Sequence, residues 1–258
     1  MTLIASVSGI RGTIGGEINQ NLTPVDVVAF AAAYGSWIKT KHSSATVVVG
    51  RDARISGPMV QTLVQQTLVS LGIDVIDVGL STTPTVEMEV VRKQAQGGII
   101  ITASHNPKQW NALKLLNNKG EFISAEDGSE LLQYVIDRSY DFVGVDDLGK
   151  INVVTDALTA HIDAILGLPQ VNVAAIKAAG FSAVVDGVNS SGGVAVPKLL
   201  EQLGVKVHKI HCTPNGEFPH NPEPLKEHLV DLSAVVTAQH ADLGIAVDPD
   251  VDRLVFMD

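Results

Sequence analysis

Three aspartates alternate in the hexapeptide "DPDVDR", residues 248–253, directly after the apolar run "ADLGIAV" at 241–247. In an extended segment Asp248, Asp250 and Asp252 project to one side. Three ionised carboxylates that close repel one another strongly unless a cation sits among them. An all-oxygen donor set with no His or Cys in the run favours Mg2+, or Mn2+, over zinc, and octahedral Mg2+ leaves positions for waters or a phosphate oxygen. A charged surface turn is the plain alternative, but the apolar strand before the run and "RLVF" after it argue against a solvated tail. A calcium EF-hand opens with the same alternation, yet it requires Gly at the sixth position, where Arg253 stands. A strand ending in Asp-x-Asp also fits a phosphotransferase whose first aspartate, here Asp248, is the nucleophile, and that reading stays open.

A second apolar run breaks into chemistry at "GGIIITASHNP", residues 97–107. Ile99, Ile100 and Ile101 are β-branched and suit a strand covered on both faces. Ser104, His105, Asn106 and Pro107 then read, taken alone, as a capped turn. The elements around both loops make that reading insufficient. In the first half, "ATVVVG" (45–50) is a strand and "MVQTLVQQTLVSLG" (59–72) a helix with Met59, Leu63, Val64, Thr67, Leu68 and Leu71 on one face; "IDVIDVG" (73–79) is again a strand. The second half repeats the scheme: strand "FSAVVDG" (181–187), loop "VNSSGG", helix "VAVPKLLEQLG" (194–204), strand "VKVHKIHC" (205–212). On this alignment "ADLGIAV" holds the place of "QGGIIIT", so two repeat-related strands each end in an unusual polar loop. Open α/β sheets bind ligands outside the carboxyl ends of their strands. The expectation is an α/β protein of two repeat-related domains, each a mostly parallel mixed sheet covered by helices. The division falls in the stretch 146–158, giving domains 1–150 and 151–258.

The 258 residues, 45% of them apolar, supply ample core. Eighteen basic residues against 28 acidic ones give a net charge of -10, which argues against nucleic acid or an anionic membrane as the main partner. Cys212 is the single cysteine, so no intrachain disulfide or thiolate metal cluster can form, and a reducing cytoplasm fits. The opening "MTLIASVSGIRG" has no signal-peptide pattern and no run approaches a bilayer span, so a soluble, unprocessed chain is expected. His208, His211, His220, His228 and His240 lack metal-ligand spacing and are expected to be structural or exposed. The stretch 213–229, "TPNGEFPHNPEPLKEHL", reads as a long ordered loop, and "NSSGG" lacks the ending of a nucleotide-binding loop.

Together, "TASHNP" (102–107) and "DPDVDR" resemble the α-D-phosphohexomutase family of phosphoglucomutases, phosphomannomutases and phosphoglucosamine mutases. Three more segments resemble family motifs, in family order. These are "SGIRGT" (8–13) for the N-terminal Gly-Ile-Arg-Gly segment, "GRDAR" (50–54) for the Arg-Asp-x-Arg loop, and "NALKL" (111–115) for the segment carrying the active-site lysine. In "PKQWNALKL" the family more often has Tyr-Asn-Gly, but Trp110 and Ala112 keep the lysine spacing. The family is usually four domains long, and this chain stops at Asp258. The resemblance therefore implies domains 1 and 2 of a longer mutase, with domains 3 and 4 as missing partners and the fragment alone nearly inactive.

It further implies that Ser104 is the phosphorylated residue, and that its phosphoester and Asp248, Asp250 and Asp252 hold one Mg2+. A hexose 1,6-bisphosphate is then intermediate and activator, and the substrate is a hexose or hexosamine monophosphate. The Pro-Glu-Pro wording at 222–224 leans toward the phosphoglucosamine branch. Lys114 would move a proton if neighbouring cations or desolvation lower its pKa. Arg11, Arg51 and Arg253 are candidate phosphate ligands, Arg253 foremost because it abuts the aspartates. Arg54 either serves phosphate in the same way or pairs with Asp52 as scaffold, and His105 either contacts the phosphoserine or bonds to backbone. A non-catalytic phosphosugar- or metal-binding module is the alternative from another class.

Overall fold

The computed structural model describes residues 1–6 and 9–258, so Ser8 of "SGIRGT" lies outside the described residues. One sheet holds β1 (Ile4–Ser6), β2 (Gly9–Thr13), β3 (Thr46–Arg51), β4 (Asp74–Leu80), β5 (Gly97–Ile101), β6 (Trp110–Leu116) and β7 (Ile151–Val153), in the order β1-β2-β6-β5-β3-β4-β7. The other holds β8 (Ser182–Asp186), β9 (Lys206–Ile210), β10 (Leu243–Val247) and β11 (Leu254–Met257), in the order β11-β10-β8-β9. The repeat read from sequence is present in the pairing itself. β6-β5-β3-β4 and β11-β10-β8-β9 have the same spatial order, with the inner three strands parallel and the flanking hairpin partner antiparallel.

The helices are α1 (Pro24–Lys41), α2 (Gly57–Ser70), α3 (Thr83–Arg92), α4 (Ala125–Asp137), α5 (Ala157–Leu166), α6 (Val173–Ala179), α7 (Gly192–Gln202) and α8 (Val230–Gln239). Strand periodicity sends alternate residues into two cores. Val47, Val49, Ile99 and Ile101 join α1 and α2 on one face of the first sheet, while Val48 and Ile100 meet Val86 and Val90 of α3 on the other. The second sheet does the same, with Val184 and Ala246 against Leu232 and Val236 of α8, and Val185 and Val247 against Val196 and Leu200 of α7. Ile99, Ile100 and Ile101 are wholly buried, as the unbroken apolar run implies. On α2 the inward face is Val60, Val64, Thr67 and Leu68; Met59, expected there, is exposed. Gly97 opens β5 because a Cβ there would lie 2.1 Å from the Tyr34 hydroxyl, which donates to the Leu116 carbonyl at 2.7 Å.

The stretch 146–158 is more structured than its lapse of periodicity implied. A short 3-10 turn at Val145–Asp147 leads into β7, which pairs with β4, and Ala157 packs into the core under α3. Hydrogen bonding of the first sheet thus continues a few residues past position 150. Among the described residues no helix is long and apolar enough to cross a membrane.

Candidate active site

β5 stops after Ile101, and the chain turns so that Ser104 sits in the left-handed region with φ 48°. A serine adopts that conformation only where surroundings enforce it. Here the enforcement is explicit. The Ser104 N–H donates to Thr102 Oγ1 at 2.9 Å, and that hydroxyl donates to Asp52 Oδ2 at 2.7 Å. Arg54, with its side chain wholly buried, pairs with the same carboxylate through Nε at 3.1 Å. Its remaining donors all go to backbone carbonyls of the loop: Nη2 to Ser104 and Asn106, each at 2.6 Å, and Nη1 to Pro107 at 2.8 Å and Trp110 at 2.9 Å. Burial pushes the Asp52 carboxyl up, and the Arg54 charge opposes that shift.

The aspartates converge by a different route from the one their alternation predicted. Residues 248–253 are a turn, not an extended strand: the Val251 N–H donates to the Asp248 carbonyl at 3.1 Å, and Val251 has φ 65°, rare for a β-branched residue. Asp248 Oδ1 fastens the turn by accepting the Asp252 and Arg253 N–H groups, each at 3.1 Å. The "NSSGG" loop supports it from behind. Ser190 and Ser191 donate to the Pro249 carbonyl at 2.7 and 2.8 Å, and Ser190 Oγ accepts the Ala53 N–H at 3.2 Å from the first domain.

The two loops meet. Ser104 Oγ donates to Asp248 Oδ2 at 2.5 Å and to Asp252 Oδ1 at 3.3 Å, bringing together residues 144 and 148 positions apart. Lys114, on β6, donates to Asp250 Oδ2 and Asp252 Oδ2, both at 2.7 Å. Thr83, at the start of α3, donates to Asp250 Oδ2 at 2.5 Å. No sequence signal singled out Thr83. Ligand-type oxygens of the three aspartates lie within 4.8 Å of one another, and Asp250 Oδ1 is buried with no hydrogen-bond partner. A buried carboxylate oxygen lacking a donor beside two further carboxylates fits an oxygen-ligated divalent cation. Burial, reinforced by Asp250 and Asp252, pushes the Asp248 carboxyl from its ordinary value of 3.8 up to about 8. Burial also raises Asp252, but Lys114 outweighs it and holds that carboxyl below the usual range.

The other expected residues divide. Burial would lower Lys114, but Asp250 and Asp252 reverse this and hold it above an ordinary lysine, so the expected lowering does not occur here. Arg11 lines a cleft of about 60 Å³ with Ser104, His105 and Lys114, and its Nε is buried without a hydrogen-bond partner, as is His105 Nδ1. Burial first, then the Arg253 charge, lowers the His105 pKa. Arg51 is bonded elsewhere, to Gln61 Oε1 at 2.9 Å and the Asp52 carbonyl at 3.0 Å. Arg253 contributes its backbone N–H to Asp248, whereas its guanidinium pairs with Glu223 at 2.9 Å. The histidines are not all scattered: His211 and His220 gather beside Asp186.

Comparison with known proteins agrees with this arrangement. Residues 3–140 match the phosphoglucomutase/phosphomannomutase alpha/beta/alpha domain I, and residues 159–258 match domain II. A phosphoglucomutase/phosphomannomutase of Thermococcus kodakarensis is 37% identical over 251 residues, 96% of this chain and 54% of the relative. A phosphoglucosamine/phosphogalactosamine mutase of Sulfurisphaera tokodaii is 29% identical over 260 residues, 100% of this chain and 55% of the relative. A crystal structure of a phosphoglucomutase/phosphomannomutase family protein from Burkholderia thailandensis superposes with a TM-score of 0.83 at 26% identity, covering 98% of this chain and 54% of that one. The chain thus spans about half the length of the curated relatives it matches. Two α/β units, joined where one strand end presents a serine and its repeat counterpart presents three aspartates, carry both family domain matches over nearly their whole length, and the chain belongs to the phosphoglucomutase/phosphomannomutase family.

Proposed function

We propose that this chain is the first half of a Mg2+-dependent phosphohexomutase that moves phosphate between O1 and O6 of a hexose or hexosamine through a phosphoester of Ser104. The supporting observation is the Ser104 hydroxyl held at 2.5 Å from Asp248 across the joint between the units. The first unit runs through β7 and carries the serine loop, and the second, in the remainder of the chain, carries the aspartate loop. The whole protein would add two further domains that grip the distal phosphate and read the sugar, and it would work in the cytoplasm. Pro222-Glu223-Pro224 leans toward a hexosamine substrate.

Asp248, Asp250 and Asp252 would hold the cation together with the Ser104 phosphoester. When bound there, Mg2+ neutralises charge on the transferring phosphoryl group. The chain's own groups do the rest. Phosphoserine gives its phosphoryl group to a sugar hydroxyl, breaking the serine O–P bond and forming a sugar O–P bond. The resulting bisphosphate turns over and returns its other phosphate to Ser104. Arg11 and His105 line the cleft, and each has a buried nitrogen without a partner that phosphate oxygens entering there would engage. Lys114, charged beside Asp250 and Asp252, would give a proton to the Ser104 oxygen as its O–P bond breaks and recover one from the sugar hydroxyl.

Incubating the chain with Mg2+ and glucose 1,6-bisphosphate will place one acid-stable phosphate on Ser104, read by intact mass and peptide mapping. Hydroxylamine-labile phosphate on Asp248 would overturn this in favour of an aspartyl-phosphate enzyme. Against that outcome stands the engagement of both Asp248 oxygens, one by two backbone N–H groups and the other by Ser104. A whole protein that binds phosphosugar and cation without turnover would instead be a binding module.

The proton on Asp248 sets the pH dependence. Between about pH 4 and 8 the metal-free folded chain holds a proton that the unfolded chain has released, so stability falls as pH rises through that window and levels above it. Mg2+ must displace this proton, so its rise in Tm over an EDTA control will be larger at about pH 8 than at about pH 5. An equal or inverted response would remove Asp248 from the metal site.

A further inference from the structure

The carboxyl ends of β8 and β9 gather a second set of ligand-type side chains, apart from the Ser104 crevice. Asp186 ends β8 and is 1% exposed. His211 follows β9 with φ 49°, and His220 comes in from the 213–229 loop. One ligand atom from each lies within 4.8 Å of the others, and the two imidazoles pack edge to face with centroids 5.5 Å apart.

The hydrogen bonds around this cluster leave one buried imidazole nitrogen without a partner. Asp186 Oδ1 accepts the Val188 N–H at 2.9 Å, while Oδ2 faces His220 Nε2 at 3.0 Å. His220 Nδ1 faces the Asn221 carbonyl oxygen at 2.8 Å. Both ring nitrogens therefore meet oxygens that only accept: a protonated ring donates to both, whereas a neutral ring keeps one N–H and leaves its other nitrogen as a metal ligand. His211 Nε2 is buried without a hydrogen-bond partner; Asp231 Oδ2 approaches to 3.3 Å but off the direction of a bond.

We propose that Asp186, His211 and His220 bind one Zn2+. The His220 Nδ1–H donates to the Asn221 carbonyl, which fixes the tautomer and leaves Nε2 to ligate, the usual support for a metal-bound histidine. Two imidazoles and a carboxylate select a borderline cation such as zinc over Mg2+, with a water to fill a fourth position. The site fastens the 213–229 loop to the second sheet. That loop also reaches the first domain, through Glu217 to Lys108 at 3.0 Å and through Phe218, whose ring lies 5.2 Å from the Arg54 guanidinium. Zinc here would brace the loop that covers the serine clamp.

The test is calorimetric titration of Zn2+ into chelator-treated chain in large excess of Mg2+. One Zn2+ per chain is expected, retained in Asp248→Asn and weakened about 100-fold or more in His211→Asn and in His220→Asn. Zinc affinity unchanged in both histidine variants, or lost in Asp248→Asn alone, would overturn the proposal, as would no uptake by wild type under excess Mg2+. Should the histidine variants misfold, imidazole 15N resonances of the wild-type chain decide: His211 and His220 shift on adding one equivalent of Zn2+, and their staying unmoved refutes the site.

Discussion

Arg54→Met will destabilise the chain by about 3–5 kcal/mol, read as a fall in the urea midpoint at unchanged slope. Methionine matches the length of the arginine stem but takes the charge away from Asp52, which is wholly buried beside it. It also leaves the carbonyls of Ser104, Asn106, Pro107 and Trp110 without their donors. Breaking one partner of a buried ion pair is costly because the other charge remains in a low dielectric. Arg51→Met is the control. Arg51 is only half-buried and bonds to Gln61 and one carbonyl, so its loss should cost about 1 kcal/mol. Equal losses in the two variants would show that the carbonyl clamp is not what holds the serine loop.

Ser104→Ala, made in the whole protein, will lower kcat/KM for phosphosugar interconversion by at least about three orders of magnitude, because Ser104 is the hydroxyl that meets both Asp248 and Asp252, whereas Thr83 meets Asp250. Mg2+ affinity of the unphosphorylated chain should change by less than about tenfold, since the three carboxylates remain. Those two readouts separate carrier from scaffold. Activity within tenfold of wild type would exclude Ser104 as carrier, and metal binding lost along with activity would point to a collapsed site.

The convergence of the two loops was legible because it rests on side chains whose types are rare at strand ends: Ser104 after three isoleucines, and three aspartates after an apolar strand. The repeat was legible for the same reason, and it correctly placed both loops at equivalent strand ends. Arg54 was legible only as a partner of Asp52. Its other bonds go to carbonyls about fifty residues away, and a carbonyl carries no side-chain signature. Thr83 was invisible because a threonine beside Pro84 at a helix start already has a local explanation. The alternation of the aspartates pointed to the right residues through the wrong geometry, since the left-handed Val251 that curls the turn has no propensity to announce it. His211 and His220 were set aside on spacing, but a strand end and a long loop made them neighbours. β7 was hidden by its length: three residues are too few to show a period.

The placement of serine and aspartates on opposite sides of the joint has a consequence for motion. Among the described residues, every hydrogen bond to the Ser104 side chain comes from the second domain, and Lys114 and Thr83 likewise reach across to Asp250. A hinge movement parting the strand ends by ~1–2 Å would take these contacts beyond hydrogen-bonding range while leaving both cores intact. Closure of the joint and assembly of the site are then one event. Whatever holds the two domains together sets how much of the time the serine and the aspartates form one site.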